Sequence, residues 1–147
     1  MNRARGRSLF GIVVIILAAS TAPSLATPLC MLSNATPLTF DSKYEADRPD
    51  DGRASFVVTC ARTQTLLISL LYSHQMKSGT RGPDLTYDLY ATPDHSSIWG
   101  SGGDGATVLQ TFAAGRPTIV YIYARIPAHQ QPTPGQLSDS VGIMTMP

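Results

Sequence analysis

Seven short runs rich in β-branched and aromatic residues, each closed off by Gly, Pro, Asp or Ser, constrain this chain more than anything else in it. They cover residues 37–40, 54–60, 65–72, 84–91, 106–112, 118–126 and 138–146. No apolar pattern at helical period competes with them. Short strands at this spacing read as an all-β sandwich, one domain in size. Between the runs lie turn-forming clusters: Arg48-Pro49-Asp50-Asp51-Gly52, the stretch 77–83, and a Gly-rich stretch at 100–105. The last lacks the Lys and Ser/Thr of a phosphate-cradling loop and its strand-to-helix setting, so a hairpin loop is expected there.

Alternation predicts which side chains face inward. Leu85, Tyr87 and Leu89 share one face, as do Val141, Ile143 and Thr145. The run 118–126 is apolar on both faces, which predicts a strand central to a sheet or covered twice. Trp99 is expected to cap one end of the core.

Ahead of the first run, Arg3, Arg5 and Arg7 precede an apolar stretch from Leu9 to Ala19, and Ser24-Leu25-Ala26 forms a small-x-small cleavage site. This layout predicts an export signal peptide over residues 1–26 and a mature domain over 27–147. The apolar stretch is about 11 residues against the roughly 20 that a spanning helix needs, so no retained membrane anchor is expected. Export places Cys30 and Cys60 in an oxidising compartment, where an even pair in a small domain predicts one disulfide.

Charge then narrows the functions. Of eleven Lys and Arg, three fall in the leader, leaving eight against ten Asp and Glu, or −2 for the mature chain. Without a basic run there is no footprint for nucleic acid. His74, His95 and His129 lack metal-ligand spacing once the cysteines are paired, so no metal or cofactor is expected. No nucleophile motif such as G-x-S-x-G is present, and no catalytic residues are assigned.

The second half carries more specific motifs: Leu85-Thr-Tyr-Asp-Leu-Tyr90, Ile98-Trp-Gly100, Tyr123-Ala-Arg-Ile-Pro-Ala-His-Gln130, Pro134-Gly135 and Ser138-Asp-Ser-Val141. The first half adds Cys30, Leu38-Thr39-Phe40, Tyr44 and Val58-Thr59-Cys60. In order and spacing these resemble the spore coat protein U domain family, which includes the pilins of archaic chaperone-usher pili. The resemblance implies an immunoglobulin-like β-sandwich lacking its last strand. Its hydrophobic groove would be filled first by a periplasmic chaperone, then, at an outer-membrane usher, by a strand from a neighbouring pilus subunit. It further implies that Tyr87, Leu89, Tyr123, Ile126, Val141 and Ile143 line the core or that groove, and that the protein is exported to the periplasm and then the cell surface, in adhesion or biofilm formation. Only Thr27-Pro28-Leu29 precedes Cys30 in the mature chain, so the subunit is expected to accept a strand without donating one. A free secreted β-sandwich binding module, or a coat or matrix protein, stands as the alternative.

Overall fold

The computed structural model describes residues 29–40, 44–78, 84–100, 105–131 and 137–147; the leader, most of the Gly-rich loop and the Pro134-Gly135 pair lie outside them. The described residues form ten strands and no helix. One sheet has the order β1-β2-β8-β6, a second β10-β3-β7, and a small third β5-β4-β9. Their ranges are β1 Cys30–Ser33, β2 Asp50–Cys60, β3 Gln64–Leu71, β4 Gln75–Ser78, β5 Leu85–Thr86, β6 Asp88–Tyr90, β7 Val108–Phe112, β8 Thr118–Ile126, β9 Leu137–Ser138 and β10 Gly142–Met146. Every strand pairing is antiparallel.

The two larger sheets pack face to face as a sandwich, and alternation along each strand decides what is buried. On β2 the inward residues are Ala54, Phe56, Val58 and Cys60; on β8 they are Val120, Ile122, Ala124 and Ile126. Leu66, Ile68 and Leu70 of β3 and Phe112 of β7 meet them from the other sheet. Trp99 lies between the layers, 1 % exposed. Its indole Nε1 donates to the Ile68 carbonyl at 3.0 Å, and its backbone N–H to Leu89 at 2.7 Å, so one residue ties β3 to β6. A disulfide joins Cys30 and Cys60, which sit directly opposite each other across β1 and β2.

The strand expectations hold unevenly. The run 118–126 is β8 without change of boundary, central between β2 and β6, but its outer face is open: Ile119 is 54 % and Tyr121 41 % exposed. The run 37–40 is no strand; it contributes one isolated bridge, Thr39 to Arg53, and the first strand is instead Cys30–Ser33. The run 84–91 breaks in two at Tyr87, where pairing passes from β4 to β8: the Tyr87 N–H still reaches the His74 carbonyl at 3.1 Å, in register with β4, while residues 88–90 pair with β8. The run 138–146 also divides, into β9 and β10, around Asp139. Strand β4, whose sequence Gln-Met-Lys-Ser shows no apolar alternation, was not expected. The ends of the Gly-rich loop close on each other through Gly100 N–H to Ala106 at 2.9 Å and Ala106 N–H to Ile98 at 2.9 Å.

Candidate functional site

Strand β10 is bound on one side only. Its five residues pair with β3 from Gly142 opposite Leu71 to Met146 opposite Leu67, and its other edge has no partner strand among the described residues. Antiparallel pairing leaves alternate N–H and C=O groups of an edge strand pointing outward. Beside this edge the two sheets do not close, and a cavity of about 730 Å³ opens between them.

Each wall follows from the local sequence. Val141 and Ile143, spaced two apart, turn the same half-buried face into the cavity. The opposite wall is residues 35–40, which continue from β1 along the edge of β2. Thr36 N–H donates to the Ser55 carbonyl at 2.8 Å and Ser55 N–H to Thr36 Oγ1 at 2.8 Å, so the segment stays on β2 although Pro37 interrupts a regular ladder. Gly52 makes the crossing possible. A Cβ there would lie 2.7 Å from the Thr39 carbonyl oxygen and 2.9 Å from the Phe40 ring, so only glycine admits this close approach. The floor is Phe56, Ile122, Ile126, Leu85, Tyr87 and Leu89. It is core surface that the protein's own described strands leave uncovered.

At the mouth, one acid organises the turn that leads into β10. Asp139 Oδ2 accepts from the Tyr87 hydroxyl at 2.7 Å, the Ser73 hydroxyl at 2.9 Å and the Ser73 N–H at 3.2 Å; Oδ1 accepts from Ser140 N–H at 2.8 Å. Partial burial raises its pKa, but these hydrogen bonds outweigh that and hold the carboxyl below its ordinary range. Burial first, and then the carboxylate it donates to, push the Tyr87 phenol far above its ordinary value. Tyr87 also packs against Phe40 edge to face at 6.3 Å, so its ring meets the 35–40 wall while its hydroxyl holds the turn into β10.

Behind the floor, the Ile126-to-Gln130 corner is a side-chain imitation of a strand. Gln130 Oε1 accepts from Thr86 N–H at 2.7 Å, and its Nε2 donates to the Thr86 carbonyl at 2.9 Å and the Pro127 carbonyl at 3.1 Å. The Tyr44 hydroxyl donates to Pro127 at 2.8 Å and accepts from Gln130 N–H at 3.1 Å. Residues 127–130 thereby hold Leu85 and Tyr87 against the cavity.

Of the residues assigned from sequence to the core or groove, Tyr87, Leu89, Ile126, Val141 and Ile143 all line the cavity. Tyr123 does not. It lies on the outer face of β8, its ring 6.3 Å from that of Tyr121, because odd-numbered residues of β8 point away from the core. Both faces of β8 are apolar in sequence, so alternation alone could not assign the side. Residues that sequence reasoning missed are Gly52, Asp139 and Gln130; the last two stand in the quoted motifs, and Gly52 was read only as a turn residue. His74 bonds Asp88 at 2.9 Å and His95 sits 3.8 Å from Asp51, on the outer side and away from the cavity. Among the described residues no cluster of His, Cys, Asp or Glu could hold a metal ion, and no helix is long and apolar enough to cross a membrane.

A comparison with curated proteins finds no match. A sequence model of the Spore Coat Protein U domain matches residues 16–144, nearly the whole chain, and spans both walls of the cavity, the disulfide, the Gln130 corner and Asp139. The protein is therefore a member of the Spore Coat Protein U domain family.

Proposed function

We propose that this protein is an exported structural subunit of a surface fibre, a pilus assembled by the chaperone-usher route through donor-strand complementation. The family is one of pilin-like surface and coat proteins, and this reading places the chain among its fibre-forming members. The observation that carries it is the coincidence of an unpaired β10 edge with an apolar cavity directly beside it. A strand laid along that edge pairs its main chain with β10, while every second side chain enters the cavity. In this account the sandwich is an immunoglobulin-like one whose missing strand is supplied in turn by a periplasmic chaperone and, at the usher, by the next subunit. Residues 1–26 act as the export signal and 27–147 as the domain. Adhesion or biofilm formation is the role of the finished fibre.

The test is recovery of the tagged full-length protein from the periplasm of its host, with identification of what copurifies by mass spectrometry. The expected result is a stoichiometric complex with an immunoglobulin-like chaperone, lost in an Ile143→Asp variant that puts a charge in the cavity wall. Recovery as a soluble, cooperatively melting monomer would overturn the reading in favour of a free secreted binding module.

A further inference from the structure

The outer face of the first sheet is furnished in a way that neither a core nor a fibre joint requires. Strand β8 sends Ile122 and Ile126 into the cavity and sends Tyr121 and Tyr123 to the opposite side. Register then sets their neighbours: Tyr90 of β6 and Arg53 of β2 stand directly across from Tyr123, and Ser55 across from Tyr121. The Arg53 guanidinium lies over the Tyr121 ring, 5.2 Å from its centroid. The Tyr121 and Tyr123 rings are 6.3 Å apart and tilted by 36°.

Among the described residues, charge on this face is paired off except at Arg53. Arg125 holds Asp51 through Nε at 2.6 Å and Nη2 at 2.8 Å, and His74 holds Asp88 at 2.9 Å. Arg53 has no carboxylate partner among the described residues; a ring is its neighbour.

We propose that this face is a glycan-binding platform for a saccharide bearing carboxylate groups, with Tyr121 and Tyr123 stacking on sugar rings and Arg53 taking the acid. The argument is complementarity. The apolar C–H face of a pyranose matches an exposed aromatic ring, and a guanidinium presents paired donors to a carboxylate. Ser55, directly across from Tyr121, adds a hydroxyl beside that ring, which suits a polyhydroxylated ligand. Nucleic acid fits less well, since its affinity comes from neutralising several phosphates and the platform offers one free cation among the described residues. A second copy docking face to face would set one Arg53 against another, with Asp51 and Asp88 already engaged. Because the platform is on the side of β8 away from the cavity, it stays available whether or not the cavity is filled.

The experiment uses the full mature chain, in whatever complex it is recovered, and titrates three probes at low salt: a hexamer of galacturonic acid, the same hexamer as its methyl ester, and a hexamer of deoxythymidylate. The expected result is binding of the acid hexamer at least tenfold tighter than its ester. Tyr121→Ala and Tyr123→Ala should each weaken it about tenfold. Arg53→Gln should erase the difference between acid and ester, with Arg53→Lys restoring part of it. Cooperative melting of each variant checks that the fold survives, and Tyr121→Leu replaces any variant that fails. No saturable binding of either hexamer, equal affinity across the variants, tighter binding of the oligonucleotide, or concentration-dependent dimerisation abolished by Tyr121→Ala would each overturn the proposal. Since the readout is glycan affinity and not chaperone capture, it stands or falls separately from the fibre reading.

Discussion

Asp139 and Tyr87 make the mouth of the cavity sensitive to pH from both sides. Asp139 has an ordinary value of 3.8 and is held lower in the fold, so its contribution is complete above that value and is lost as pH falls toward the folded pKa. Tyr87 has an ordinary value of 10.0 and is held higher, so its contribution is complete below that value and is lost as pH rises through the alkaline range. Urea unfolding of the protein across pH should therefore show an acid limb that flattens in Asp139→Asn. At pH 7 that substitution should cost about 1 kcal/mol, since the carboxylate is largely solvent-facing and screening trims a charged hydrogen bond. Cys60→Ser should cost more. Releasing a loop of 30 residues removes roughly 3–4 kcal/mol on the chain-entropy account, to be read as a lower denaturation midpoint and a lower periplasmic yield.

Strand by strand, what was legible in the sequence depended on whether a strand's stability is local. β8 was legible to the residue because seven of its nine residues are β-branched or aromatic and need no tertiary help to be recognised. β4 was not, because Gln75–Ser78 is a strand only through its neighbours β5 and β9. The run 37–40 was read as a strand because Leu38-Thr39-Phe40 alternates, yet Pro37 and the crossing over Gly52 reduce it to one bridge. The face of Tyr123 was illegible for the opposite reason: β8 is apolar on both sides, and the outer side is occupied by aromatic rings. Gly52→Val is the substitution that tests the wall. With backbone 2.7 Å from the added Cβ, residues 39–40 must move outward, and the altered cavity should bind its complementing strand at least tenfold more weakly while β2 and β8 remain paired. Hydrogen exchange resolved by residue would show both, as faster exchange at Thr36 and unchanged protection at Ile122.

For the molecule as a whole, an open core is the dominant energetic fact. Phe56, Ile122, Leu85 and Leu89 are buried yet border a cavity of about 730 Å³ that a further strand's side chains would fill. Each apolar side chain so placed contributes about 1.5–3 kcal/mol of burial, before the entropy of ordering the strand is subtracted. The complexed protein is accordingly expected to melt well above the isolated one, and the isolated one to aggregate through its exposed edge, both measurable by calorimetry and light scattering.

The cavity's walls also carry information about time. Residues 35–40 and Ile143 stand at opposite ends of the described chain, so contacts between them carry the loop-closure cost of nearly its whole length. A chain that still lacks β10 therefore has one wall and no complete cavity; the second wall stands only once β10 has docked on β3. Anything that recognises the cavity thus inspects completeness. A chain cut short before Gly142 offers it neither the β10 edge nor the Ile143 wall, so on the proposed fibre reading an unfinished chain would be told apart by shape alone.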